Sequence, residues 1–314
     1  MQWSQIKTLF ILCFLILNIY LFVEFMDKQS SIDSYDRTNP NEPTLEEELK
    51  QEDIKIRDYH IDVKKDTYMN IAPKTYTETD YSKIKALKNQ ETELINGSLL
   101  VSKFDEPIPL PKQPNNASVS QLLKKYIASS DEYKYYGWDK DANVLLLFQK
   151  EKDRTIYYNR YGLILVFLNK DNEMIYYTQT MLGDAQKQGE PSTLYEPMSA
   201  IGTLFDQSEL YSKDTITNVE YGYYTRIASE TGASQVFAPT YKITVNEERN
   251  YFVGAVEPYV SMGDNTKFIS DTLQNYESVM QQMSNEIEWK KEFLIMVNQI
   301  IAEDSIENNR SDFE

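Results

Sequence analysis

The chain of 314 residues has one cysteine and one histidine. The cysteine, Cys13, lies inside an apolar run near the N-terminus, so everything after it lacks disulfides and cysteine zinc sites. With His60 as the sole imidazole, any site needing two histidine ligands is excluded, and Ser-His-Asp chemistry would have to use His60 as its base. Positive charge is also scarce: 32 Lys and Arg stand against 49 Asp and Glu, for a formal net charge of -17. A surface that neutralises nucleic-acid phosphates needs clustered cations, so nucleic-acid binding is excluded as a main function. Three catalytic or phosphate-binding motifs are missing: G-x-x-x-x-G-K-[ST], H-E-x-x-H and G-x-S-x-G. Asp139-Lys140-Asp141 lacks the glycine and terminal glutamate of a calcium loop and reads as a hairpin turn. No cofactor or metal is expected.

What is present begins with the leader. Residues 6–26 read IKTLFILCFLILNIYLFVEFM, with no charge from Thr8 to Val23. Roughly 20 residues at about 1.5 Å each span about 30 Å, the thickness of a hydrocarbon core. The exit, Tyr20 to Met26, is bulky throughout and offers no small-residue cleavage site. Leu12 is too large to precede a lipidated cysteine. The expectation is one uncleaved transmembrane helix over 6–26, a cytoplasmic tail over 1–5 and the remainder outside the cell membrane. Asn18 is the strongly polar side chain within this helix, and an amide in lipid seeks a hydrogen-bonding partner. Phe14, Asn18, Tyr20 and Phe22 are therefore the candidate residues for contact with a partner's membrane helix.

Residues 27–53 form an acidic linker with Pro40 and Pro43, and with a short helix expected at Leu45–Lys50. An alternating strand begins at Ile54 and runs to Val63. Asn96-Gly97 signals a turn before the strand at Leu99, and the proline-rich stretch from Phe104 to Pro114 should be extended. A helix with Ser118 as its N-cap carries Val119, Leu122, Leu123, Tyr126 and Ile127. Strands come next at Tyr133–Trp138, Val144–Gln149, Thr155–Tyr158, Leu163–Leu168 and Met174–Thr178. The order then recurs, with a helix over Pro197–Leu210 and strands at Val219–Ala228, Val236–Val245 and Tyr251–Val256. The fold expected is α+β: one transmembrane helix plus two similar halves, each a helix and an antiparallel sheet, over 54–190 and 191–262. The last segment, 263–314, holds a long helix from Asp264 to Glu303 and an acidic tail. That helix packs on its own domain or pairs with a partner or second copy of the chain. The many strand tyrosines read as cross-strand packing, with a carbohydrate-stacking surface as the alternative. Glu247-Glu248 read as solvated turn charges, although such a carboxylate pair could in principle serve a glycosidase.

The opening WSQIKTLFILCFLILNIYLFVEFMDK resembles the start of the YycI family. The series NVEYGYYTRI, VFAPTYKITV and YFVGAV over 218–256 is similar to that family's C-terminal half, with Gly222, Tyr223, Tyr224, Ala238, Pro239, Thr240 and Tyr241 carrying the match. Gly254 stands where the family usually has Asn, and the chain after Gly263 runs beyond the resemblance. The resemblance implies an extracellular α+β fold in a Gram-positive bacterium. It also implies a non-catalytic role as accessory regulator of a WalK-like sensor histidine kinase that controls cell-wall metabolism, acting with a YycH-like protein. The alternative function is a cell-surface binding module for wall polysaccharide.

Overall fold

The computed structural model describes residues 3–33, 43–225 and 234–311. Pro40 of the expected linker and Ala228, the expected end of a strand, lie outside the described residues. The helices and strands, in chain order, are α1 (Trp3–Asp33), α2 (Leu45–Gln51), β1 (Lys55–Ile56), β2 (Lys65–Ile71), α3 (Glu78–Lys85), β3 (Gln90–Ile95), β4 (Leu99–Pro109), α4 (Asn116–Leu123), β5 (Tyr133–Asp139), β6 (Val144–Glu151), β7 (Arg154–Tyr157), β8 (Leu163–Leu168), β9 (Glu173–Gln179), β10 (Gln186–Thr193), α5 (Pro197–Asp206), β11 (Thr215–Tyr224), β12 (Gln235–Val245), β13 (Arg249–Gly254), β14 (Val260–Met262), α6 (Asn265–Met280) and α7 (Lys290–Ser311).

The protein is α+β, with one large mixed sheet. Its main path runs β10-β2-β12-β11-β7-β6-β8-β9-β4-β3, while β13 and β14 extend from β12, β5 pairs with β6, and β1 pairs with β11. Two pairings are parallel, β1 with β11 and β7 with β11, so the expectation of purely antiparallel sheets is corrected. The helix-then-meander order does occur twice. After α4, strands β5, β6, β8 and β9 pair in sequence; after α5, β11, β12, β13 and β14 do the same. β7 joins the two series, pairing with β6 on one side and β11 on the other.

β6 and β8 read as unbroken apolar runs because both their faces are covered. Val144, Leu146, Phe148, Leu163, Leu165 and Phe167 meet α6 and α7. Their alternate neighbours Leu145, Leu147, Ile164 and Val166 meet Val119 and Leu123 of α4. In the second series, Ala200, Ile201 and Leu204 of α5 cover Val219, Ile243 and Val253. α2 joins the same core through buried Leu45 and Leu49, and Thr44 and Glu47 close its start as a reciprocal capping box.

Three local expectations are corrected. The cap of α4 is Asn115, whose side chain accepts from the Ser118 amide, and Ser118 is its capping-box partner. Only Lys55–Ile56 of the Ile54–Val63 stretch is a strand: it pairs in parallel with Thr215 and Ile216 of β11, and the Arg57 amide makes a last bond to the Ile216 carbonyl before the chain leaves the sheet. The single helix over 264–303 is two helices, split before Lys290. The Lys290 ammonium donates to the carbonyls of Gln281 and Met283, at 2.9 and 2.5 Å, and to Asn285 Oδ1 at 3.0 Å. It thus satisfies acceptors left open where α6 ends, and α7 starts from the same residue.

Among the described residues no helix is long and apolar enough to cross a membrane. In α1 the large apolar side chains from Phe10 to Val23 are exposed.

Candidate functional site

The motif residues fall on two adjacent strands. Gly222, Tyr223 and Tyr224 of β11 lie opposite Thr240, Pro239 and Ala238 of β12, and Tyr241 lies opposite Tyr221. The backbone explains two of the residue types. A Cβ on Gly222 would come within 2.5 Å of the Thr155 carbonyl oxygen and 2.6 Å of the Tyr157 ring, so the parallel approach of β7 to β11 requires glycine. Pro239 lies where β12 leaves β2, last paired at Phe237, and takes up β13 at Thr240. At this switch its missing N–H breaks no ladder bond on that side.

The polar atoms of the motif are bound as well. Tyr241 is fully buried and donates to the Tyr195 carbonyl at 2.7 Å. Thr240 shares a 2.7 Å hydrogen bond with Tyr259, and Tyr224 one of 3.2 Å with Ser261. Tyr223 donates to Asp66 Oδ2 at 2.7 Å, beside Tyr221 at 2.6 Å. Arg154 Nη1 reaches the same oxygen at 2.5 Å and the Tyr223 hydroxyl at 3.0 Å. Burial alone would raise the Asp66 pKa, but the two phenols, the Thr67 amide and Arg154 outweigh it and hold the carboxyl below its usual range. Burial, reinforced by Asp66, pushes the Tyr223 phenol up to about 12. This is a held carboxylate surrounded by donors.

A second polar knot ties the two series together. Glu220 of β11 pairs with Lys242 of β12 at 3.2 Å and with Lys134 of β5. Burial raises the Glu220 pKa, but Lys242 and Lys134 more than offset it, so the carboxyl stays lowered. Lys242, only 11% exposed in its side chain, also lies 4.7 Å from the centroid of the Tyr136 ring.

The candidate residues of α1 are not all brought together. Phe14, Asn18 and Phe22 repeat at four-residue steps and share one stripe of the helix, whereas Tyr20 falls on another side. The strand tyrosines considered as a stacking surface differ in burial. Tyr133, Tyr157, Tyr176, Tyr177 and Tyr223 are buried, and Tyr136, Tyr158, Tyr221 and Tyr224 are half-buried. His60 is exposed, and Glu247 forms an exposed ion pair with Arg57 at 2.9 Å. Among the described residues, no group of three or more His, Cys, Asp or Glu could hold a metal ion.

The family described as YycI protein matches residues 32–256, more than half of the chain and the whole seam from Asp66 to Tyr259 except its last turn. The chain belongs to the YycI family. YycI proteins are membrane-associated accessory regulators, and membership links this chain to the WalK/YycG two-component system. No curated protein matches the chain. The crystal structure of an uncharacterized protein from Eubacterium rectale ATCC 33656 is similar over 67% of this chain and 86% of its own, at 10% identity and a TM-score of 0.37. At that level it carries no functional meaning. The α6–α7 pair lies outside the residues matched to YycI.

Asp66 and Arg154 were not singled out from the sequence. The signal for Asp66 was the alternation of Thr67, Met69 and Ile71, which are the buried positions of β2. Arg154 sits at the turn of a hairpin, where sequence alone reads a solvated charge.

Proposed function

We propose that this YycI protein is a membrane-anchored accessory regulator that binds a WalK-like sensor histidine kinase together with a YycH-like protein. Membership of the YycI family over 32–256 is the observation that carries this reading. The uncharged run from Thr8 to Val23 supplies the anchor, with residues 1–5 in the cytoplasm and the sheet domain outside. The stripe of Phe14, Asn18 and Phe22 is the helix surface offered to partner helices, with the Asn18 amide as its hydrogen-bonding group. Regulation results if the complex favours one signalling state of the kinase over the other by differential binding. The role is non-catalytic; the Glu220 cluster ties β5, β11 and β12 together.

Crosslinking in cells, capture of the full-length protein and mass spectrometry of what it carries is the test. A sensor kinase and a YycH-like protein should be enriched, and both should fall when α1 is replaced by an unrelated membrane helix. Asn18→Leu should reduce the yield. Absence of any kinase above background would overturn the reading, and undiminished capture by the Asn18→Leu variant would remove the role given to that amide.

A further inference from the structure

A cleft of about 300 Å³ opens beside the Asp66 cluster, between β2, β7 and the start of β10. Its charged lining is Lys65, Lys152, Arg154 and Lys187 against Asp66 and Glu151. That is an excess of two positive charges in a chain whose net charge is -17. The contrast holds within the structure itself, since a larger groove of about 750 Å³ near β3 is lined mainly by carboxylates, among them Glu91, Glu93, Glu288 and Glu292.

The cations are not all spent on neighbours. Lys65 and Lys187 make no ion pair among the described residues. Arg154 is fixed in place: its guanidinium lies 5.0 Å from the centroid of the Tyr221 ring, and Nη1 is taken by Asp66 and the Tyr223 hydroxyl. Nη2 and Nε have no hydrogen-bond partner among the described residues. A guanidinium immobilised on one side and open on the other is preorganised to bind an oxyanion, because its ordering cost is already met by the fold. The cleft concentrates the field of the flanking lysines on the same space.

We propose that this cleft binds a phosphate group, with Arg154 as the fixed donor and Lys65, Lys152 and Lys187 as the flanking charges. A phosphate monoester carries about -1.5 to -2 at neutral pH, which matches the excess charge of the lining; a carboxylate would leave one cation unmatched. The volume suits a phosphate on a small alcohol and is at the low end of ligand cavities. The proposal is independent of kinase binding, which rests on the family and the membrane helix.

Full-length protein in neutral detergent at low salt, titrated calorimetrically with inorganic phosphate and with glycerol 3-phosphate, tests it. Glycerol serves as the neutral control. A parallel titration uses detergent micelles doped with phosphatidylglycerol or phosphatidylcholine. Saturable uptake of the soluble probes would assign the site to a free phosphate compound. Saturation by phosphatidylglycerol micelles alone would assign it to a lipid headgroup. In either case Lys65→Gln with Lys187→Gln should weaken binding about tenfold or more, since two unshared charges are removed. Both lysines are exposed, so the variant should melt like the parent. Failure of every phosphate probe, binding equal to that of glycerol or phosphatidylcholine, or unchanged affinity in the double variant would overturn the proposal.

Discussion

Gly222 rests against the ring of Tyr157, so close that a single added methyl would stand 2.6 Å from the ring edge. The same methyl would meet the Thr155 carbonyl oxygen at 2.5 Å, and a backbone atom in a paired strand cannot swing aside. This contact is where β7 and β11 join the two meanders into one sheet. Gly222→Ala should therefore destabilise the domain by about 2 kcal/mol, in the range of overpacked interiors. Urea unfolding followed by tryptophan fluorescence measures it. An unchanged midpoint would show that the two strands can separate without loss.

Acid should loosen the same seam. Asp66 and Glu220 both have pKa values lowered in the folded protein. Unfolded, each returns to the ordinary carboxylate range. Their contribution is thus fully present above that range and is lost as pH falls through the depressed folded values. Urea midpoints should fall between about pH 5 and pH 2, the window in which paired carboxylates become protonated. Asp66→Asn should lower stability at neutral pH and flatten the acid limb, because one of the titrating groups has gone. A variant with lower stability but an unaltered acid slope would take Asp66 out of the pH response.

Alkali acts through the tyrosines with the opposite sign. Burial pushes Tyr177, Tyr223 and Tyr241 up to about 12, whereas an unfolded phenol titrates near 10. Raised folded values contribute stability that is complete below pH 10 and lost as pH rises toward 12. Tyrosinate absorbance should lag behind the unfolded control across this window, while urea midpoints decline. Full ionisation of the tyrosines near pH 10 in folded protein would contradict the burial that accounts for them.

The pattern of the sequence was sufficient where both neighbours and chemistry were local. Val144–Gln149 and Leu163–Leu168 are legible as strands, and β8 begins and ends where its apolar run does. The Asn96-Gly97 turn was legible because both residues take positive φ, 49° and 68°, which those residue types accept. What escaped depends on distant pairing. β2 lies between β10 and β12, far apart in sequence, and the alternation of Thr67, Met69 and Ile71 is too short and too polar between its buried positions to stand out. The motif residues were legible as a set, but their purpose was not. Only the pairing of Gly222 with Thr240 and its approach to β7 reveal that they build a seam.

The C-terminal helices give the last prediction. The region matched to the family stops at residue 256, yet one face of β6 and β8 is covered mainly by residues C-terminal to that point. Ile269, Leu273, Tyr276 and Met280 of α6, Met283 and Trp289 in the connection, and Phe293, Val297 and Ile300 of α7 are buried in that cluster. Phe293 meets Phe167 edge-on with ring centroids 5.4 Å apart, and Trp289 donates to Glu91 at 2.7 Å. At roughly 1.5–3 kcal/mol for each large apolar side chain, this cover outweighs the roughly 5–15 kcal/mol by which a domain is stable. A chain ending at Gly263 should therefore be insoluble or unfolded. Phe293→Ala, which leaves the helices present, should lower stability by about 3–5 kcal/mol through the cavity it creates. Lys290→Ala should cost less, about 1.5–3 kcal/mol, by leaving the carbonyls of Gln281 and Met283 without their charged donor. Denaturant midpoints in that order, with the shortened chain failing to fold, would make α6 and α7 an integral cover of the sheet. A shortened chain that stayed soluble and melted cooperatively would show instead that the face tolerates water, and the helices would then be free to serve a partner.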